Sequence, residues 1–286
     1  MRVLVPLDGS RLGDAIVAHV RRLATREGEP VEVTLLTTIE AWESEQQQAT
    51  RRQELLAHHQ ELLDLLRAEG VPALSQVMVA TDPAQQIVES ALTHKADLIA
   101  MSSHGRSGLQ RWRRGSVAER VLRAATVPVY VANPRGVVQV RDEVRWNRIL
   151  VPLDGSTRAE KVLPLAGSFA GACGAELVLL HVDRPGQGGV HPVPEVAQRH
   201  AQEHAEKTLE HCRHPLTQAG LTVRVVGRYG PDPAHEVLEA AREVQADLLA
   251  LASHGRTGLA RWRFGSVAER LIQTAECPLL VVRAAD

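Results

Sequence analysis

The chain has 286 residues, 33 Lys+Arg against 34 Asp+Glu, a formal net charge of −1 and a hydrophobic content of 44%, the composition of ordinary globular domains at a length that suggests about two of them. Acidic and basic residues balance in each half, which excludes the one-sign excess of a nucleic-acid or membrane-surface binder. No run of about 20 apolar residues is present to span a bilayer, MRVLVPLDGS does not read as a signal peptide, and Cys173, Cys212 and Cys277 lack CxxC spacing, so a soluble protein of the reducing cytoplasm is expected.

Taken in chain order, residues 2–6 read as a strand, 12–27 as a helix and 31–39 as a second strand. Residues 43–69 follow as a long helix, with Leu55, Leu56, Leu62, Leu63, Leu65 and Leu66 grouped at helical spacing and Gly70 as its stop. A strand at 75–80, a helix from Pro83 to Thr93, a strand at 97–101, a helix from Ser116 and a strand at 128–131 complete the set. Asp82-Pro83 and Asp232-Pro233 each place a capping carboxylate before a proline suited to the first helical turn. Short apolar strands alternating with helices predict an α/β fold, a parallel sheet covered on both faces.

The second half repeats the first. Residues 3–10 read VLVPLDGS and 149–156 read ILVPLDGS, an offset of 146. Leu35-Leu36 align with Leu179-Leu180 at an offset of 144, and 103–120 align with 253–270 at an offset of 150, with 15 of 18 positions identical. A period of that size is too long for a solenoid and indicates two complete domains. We expect them at 1–134 and 147–286, joined by 135–146, with the extra Pro- and Gly-rich segment DRPGQGGVHPVPE as a loop of the second.

In open parallel sheets a ligand sits beyond the carboxyl ends of the strands, where strand order reverses. The first strand runs into Pro6-Leu7-Asp8-Gly9-Ser10. The fourth runs into Met101-Ser102-Ser103-His104-Gly105-Arg106, followed by Gly115-Ser116-Val117 at a helix start. Glycines allow close backbone approach, and a helix N-terminus presents N–H groups to an anion. Three or four charge-assisted hydrogen bonds of roughly 1.5–3 kcal/mol each hold a phosphate chain at about micromolar affinity. Plain strand-to-helix turns, with Ser116 and Ser266 as simple caps, are the alternative.

On these residues each half resembles the universal stress protein family over essentially its full length. The nucleotide-binding members carry Gly-x-x-Gly, nine residues, then Gly-Ser or Gly-Thr. Gly105 to Gly115-Ser116 and Gly255 to Gly265-Ser266 match that spacing, while the opening glycine is Ser102 in one copy and Ala252 in the other. The resemblance implies a five-stranded parallel sheet in each domain and ATP, or a related adenine nucleotide, between the first and fourth strand ends, with Mg²⁺ held through the phosphates. Asp8 and Asp154 would take the adenine–ribose end, flanked by Pro6, Leu7, Pro152 and Leu153. Thr38 and Val182 would meet the adenine. Met101, Ser102, Ser103, Gly105, Gly115, Ser116 and Val117, with Leu251, Ala252, Ser253, Gly255, Gly265, Ser266 and Val267, would hold ribose and phosphates. The family also implies self-association through the last strands, an intramolecular pseudo-dimer or a homodimer.

His104 and His254 could approach phosphate or ribose or serve as structural hydrogen-bond partners, and Arg106 and Arg256 could meet phosphate or lie solvated. The Arg111-Trp112-Arg113 and Arg261-Trp262-Arg263 runs read as packing and salt bridging. His200, His204, His211 and His214 share one helix, and His200 and His204 have i, i+4 spacing, but a solvated face is expected and no metal is assigned to side chains. GxxxxGK[ST], GxGxxG and GxSxG motifs are absent from the sequence. A nucleotide-dependent stress-response regulator, acting on an unknown protein partner, is therefore expected, with a slow ATPase and a dimerisation module without nucleotide as alternatives.

Overall fold

A computed structural model describes the chain apart from residues 25–29, 104–115, 133–142, 186–193, 255–263 and 285–286. It divides into two units, Met1–Val144 and Arg145–Asp286.

The first unit runs β1 (Arg2–Leu7), α1 (Arg11–Asp14), α2 (Ile16–Ala24), β2 (Glu32–Glu40), α3 (Glu45–Ala68), β3 (Ala73–Ala80), α4 (Pro83–Thr93), β4 (Leu98–Ser102), α5 (Ser116–Ala124) and β5 (Val129–Ala132). Its strands stand in the order β3-β2-β1-β4-β5, all pairs parallel. The second unit repeats this with β6 (Arg148–Pro152), α6 (Thr157–Glu160), α7 (Leu163–Cys173), β7 (Glu176–Asp183), α8 (Pro194–Gln218), β8 (Val223–Tyr229), α9 (Pro233–Glu243), β9 (Leu248–His254), α10 (Ser266–Thr274) and β10 (Leu279–Ala284). Its order is β8-β7-β6-β9-β10, again parallel. Right-handed crossovers then put helices on both faces of each sheet, the α/β architecture that the alternating pattern predicts.

The central strands are buried on both faces. Leu4, Val5, Leu35, Leu98, Ile99 and Ala100 are 0% exposed, as are Ile149, Leu150, Val151, Leu179, Leu249 and Ala250. Each Val, Leu or Ile so buried stabilises by about 1.5–3 kcal/mol before conformational entropy is set against it. Trp146 stacks on Phe169 in the second unit, ring centroids 5.5 Å apart.

Local chemistry sets the helix ends. Ser44 and Gln47 form a capping box at α3, and Gly70 leaves that helix at φ +76°. Asp82 accepts from the N–H groups of Ala84 and Gln85, and Asp232 from that of His235. The helix expected over 12–27 is broken at Ala15 into α1 and α2. Ser102 Oγ reaches the Leu12 and Gly13 carbonyl oxygens at 3.4 and 3.1 Å; the second unit is broken at the same place, between α6 and α7, with Ala252 in the serine's position.

The outermost strand of the second sheet is clasped by α8. Gln202 donates to the Val225 carbonyl oxygen at 3.1 Å and accepts from the Gly227 N–H at 2.7 Å. Gln198 donates to the Gly227 carbonyl oxygen at 2.6 Å and accepts from the Tyr229 N–H at 3.3 Å. The backbones approach so closely that a Cβ on Gly227 would meet the Ala201 carbonyl oxygen at 2.2 Å, so only glycine fits. In the first unit Arg52 makes a single corresponding bond, to the Val77 carbonyl oxygen at 2.7 Å.

Candidate functional site

Strand order reverses between β1 and β4, and again between β6 and β9, so the carboxyl ends of those strands form the crevice where ligands of such sheets bind. The register of β1 with β4 and with β2 brings Asp8, Ser102 and Thr38 to one edge. The same register in the second unit gathers Asp154, Ala252 and Val182.

The loop after β1 is built around an aspartate turn. The Ser10 N–H and hydroxyl donate to Asp8 Oδ1 at 3.0 and 2.7 Å, and Ser10 Oγ accepts from the Gly13 N–H at 3.0 Å. Gly9 bridges the turn at φ +75°, where a side chain would be strained. The second unit repeats the turn: Ser156 donates to Asp154 Oδ1 at 3.0 and 2.6 Å, caps the Ala159 N–H at 3.2 Å, and Gly155 has φ +80°. One difference accompanies a single methyl. A Cβ on Gly13 would meet Asp8 Oδ1 at 2.4 Å. The second unit has Ala159 at that place, and its Asp154 is exposed where Asp8 is half-buried.

Pro6 and Pro152 are half-buried and Leu7 and Leu153 buried, shaping the floor under the aspartates. Met101 and Leu251 are buried, Ser102 and Ala252 half-buried, and Ser103 and Ser253 buried. The Ser103 N–H donates to the Ala132 carbonyl oxygen at 2.9 Å, which steadies the end of β4. His104, Gly105, Arg106 and Gly115, with Gly255 and Arg256, lie outside the described residues. So do both Arg-Trp-Arg runs and the side chains of Ser116 and His254. Ser116 opens α5 and Ser266 opens α10, each followed by a half-buried valine, Val117 or Val267. Ser266 is not the cap of its helix: that place is held by Gly265, at φ −59° and ψ 150°, with no side-chain hydrogen bond. The first turn of α10 is thus capped by backbone alone, the form of helix start that suits an anion.

Several buried polar groups beside this edge are not apparent from motif spacing. In the first unit His59, 0% exposed, places Nε2 2.9 Å from the Thr37 hydroxyl. Burial, reinforced by the neighbouring His58, pushes its imidazole down to about 4. Asp14 is buried and bonded to His58 Nε2 at 3.1 Å. Burial lifts its carboxyl above the usual carboxylate range, although the His58 hydrogen bond pulls the other way. In the second unit the acidic residue at that place, Glu160, meets His211 Nε2 at 2.9 Å, one helical turn further along the long helix. Cys212 beside it is an inert thiol, pushed up to about 11 by burial and by Glu160. The histidine next to β2 thus comes from the helix in one unit and from the strand in the other, where His181 donates Nδ1–H to the Leu153 carbonyl oxygen at 2.9 Å.

Comparison with known proteins agrees with this architecture. The model of the Universal stress protein family matches residues 1–133 and again 145–283. Universal stress protein YxiE of Bacillus subtilis is 32% identical over 148 residues, 48% of this chain and 99% of that protein. A universal stress protein of Mycolicibacterium smegmatis is 27% identical over 98% of this chain and 96% of its own length. A crystal structure of a universal stress protein from Archaeoglobus fulgidus superposes with a TM-score of 0.77 at 21% identity, over 99% of this chain and 98% of that one. No described helix is long and apolar enough to cross a membrane.

Proposed function

This chain belongs to the universal stress protein family, and from that premise we propose that each unit binds ATP or a related adenine nucleotide at its strand-order reversal. The nucleotide lies between the ends of β1 and β4, and of β6 and β9. Its adenine lies toward Thr38 or Val182, its ribose toward Asp8 or Asp154, and its phosphates toward the Gly-Ser starts of α5 and α10. Mg²⁺ would enter on the phosphates and supply charge neutralisation there. The observation that carries this reading is the same aspartate–serine turn at the reversal point in both units, in a sequence that also repeats Gly-Ser where α5 and α10 begin.

Regulation fits these residues better than turnover. Asp8 Oδ1 and Asp154 Oδ1 each accept two hydrogen bonds from the serine two positions on. A carboxylate held as a turn acceptor is a poor general base, and phosphoryl transfer further requires a positioned nucleophile and a transition-state cation. Nucleotide occupancy then acts by changing what the protein binds in the cytoplasm, whether a protein partner or a further copy of the chain.

The test is extraction of nucleotide from the purified chain, followed by calorimetric titration of the stripped protein with ATP, with and without Mg²⁺. Saturable binding with no phosphate release over hours supports the regulator. Phosphate release tied to Asp8 or Asp154 turns the reading to a slow hydrolase. No heat and no thermal shift at millimolar ATP removes nucleotide binding altogether.

A further inference from the structure

The second unit carries a side-chain cluster that the nucleotide reading leaves unused. His181 and Asp183 stand two residues apart on β7, on one face of the strand, and His204 reaches them from α8. His181 Nε2 lies 3.4 Å from Asp183 Oδ1. His204 Nδ1 lies 2.7 and 2.9 Å from the two Asp183 oxygens, and the two imidazole rings meet edge-on with centroids 5.3 Å apart. One donor atom from each of the three residues falls within 4.8 Å of the others.

Two details distinguish the cluster from an incidental surface ion pair. The first is the His181 hydrogen bond to the Leu153 carbonyl oxygen. A carbonyl can only accept, so Nδ1 carries the proton and Nε2 is the nitrogen turned toward Asp183. This is the support that orients a metal-bound imidazole and fixes its tautomer. The Nε2 to Oδ1 separation of 3.4 Å is longer than the roughly 2.7–2.9 Å of a charge-assisted hydrogen bond. It equals the spacing of about 3.4 Å between two donors on one tetrahedral ion with bonds of about 2.0–2.1 Å.

The second detail is the repeat itself. β2 and β7 hold equivalent registers, Thr37 opposite Val77 and His181 opposite Gly227. On that register the first unit places Thr37 and Ile39 where the second has His181 and Asp183. The helix offset places Glu54 where the second unit has His204. Ile39, Leu55 and Val77 form an apolar cluster there. The fold is therefore built without the His-Asp-His set, and the set belongs to the second unit alone. The i, i+4 pairing of His200 with His204 is not what completes it; the other ligands come from the strand.

We propose that His181, Asp183 and His204 bind one divalent transition ion of the zinc class, with the remaining position open to water. Two imidazoles and one carboxylate suit Zn²⁺ and its neighbours, whereas Mg²⁺ and Ca²⁺ select oxygen ligands. The glutamine clasp holds α8 against the sheet. His204, with its side chain 57% exposed, draws back from Asp183, releases its proton and admits the ion. The site stands whether or not nucleotide binds.

The full-length chain, stripped with a chelator and dialysed, is titrated with Zn²⁺ and, as a spectroscopic probe, with Co²⁺. One ion per chain is expected, with tetrahedral Co²⁺ absorption and no thiolate band. His204→Ala and Asp183→Asn should each weaken Zn²⁺ binding by more than about 100-fold, beyond the loss of a supporting hydrogen bond. Unchanged circular dichroism would show that both variants fold. His211→Ala, in the neighbouring group of Glu160, His211 and Cys212, should leave affinity unchanged. No saturable Zn²⁺ binding at micromolar ion, affinity unmoved by His204→Ala and Asp183→Asn, or binding lost on His211→Ala would each overturn the assignment.

Discussion

The Ser102 hydroxyl donates to the Gly13 carbonyl oxygen at 3.1 Å, so the residue that departs from the first glycine of the family motif ties the end of β4 to the helix after β1. A serine here does what glycine could not. Ser102→Ala should lower the stability of the first unit by about 1 kcal/mol, the usual net worth of one such bond. The urea midpoint of the full chain reads this directly. Ala252→Ser gives the comparison in the second unit, where this serine is absent.

Gly13→Ala tests the role of Asp8. The new methyl would meet Asp8 Oδ1 at 2.4 Å, so the carboxylate must shift; the second unit, with Ala159 at that place, has an aspartate that is exposed rather than half-buried. If Asp8 holds the ribose, ATP affinity in the first unit should fall by about 10- to 100-fold, the loss of one charge-assisted hydrogen bond. Calorimetry on a chain whose second site is disabled by Gly265→Trp reads the first site alone. Unchanged affinity would remove Asp8 from the ligand.

Two buried imidazoles give the first unit a pH dependence. His19 bonds to the Tyr130 hydroxyl at 2.8 Å, and burial pushes it down to about 4, the same value reached by His59. A histidine with a lowered folded value takes its proton more readily in the unfolded chain. Its contribution is complete above about pH 6.5 and is lost as pH falls toward 4, by roughly 3 kcal/mol for each residue. Thermal midpoints measured from neutral pH downward should fall steeply in that window. Combining His19→Leu with Tyr130→Phe should flatten part of the slope; by the repeat offsets the second unit already has Leu165 and Leu280 at these places.

The strands, the repeat and the Asp-Pro helix starts were legible because each rests on local rules of apolar runs, spacing and capping. The break at Ala15 was not, because no proline marks it within residues 11–24. His59 and His181 show the same limit. Each looks like an isolated polar residue until strand and helix are brought together, and only then does the Thr37–His59 pair of one unit correspond to a strand histidine in the other. For His204, helical periodicity describes a solvated face, since the two groups it meets lie on β7. The site aspartates were legible as loop residues, but the half-buried setting of Asp8 and the exposed setting of Asp154 were not, because they depend on what packs around the turn.

The caps of α4 and α9 serve two elements each. Asp82 holds the first N–H groups of α4 and pairs with Arg120 of α5; Asp232 does the same with Arg270 of α10. The Arg120 hydrogen bond, with the Gln85 N–H, holds the Asp82 carboxyl below the usual carboxylate range. Asp82→Ala should destabilise by about 1–2 kcal/mol through the lost cap. Arg120→Ala should cost less than about 1 kcal/mol, because the pair is solvent-exposed. Chemical denaturation of the two variants compares them. Equal losses would mean that the ion pair, not the cap, holds the helix.

The glutamine clasp also bears on what the second unit cannot join. An outermost strand with unpaired N–H and C=O groups is a template for another chain's strand, the usual route to runaway sheet growth. Gln198 and Gln202 fill consecutive positions of that template along β8, and the close approach at Gly227 leaves no room for a further strand on that side. The long helix acts there as a permanent stand-in for a neighbouring strand. Growth of the sheet past β8 is blocked by side chains from its own unit, without a charged residue on the strand having to do so.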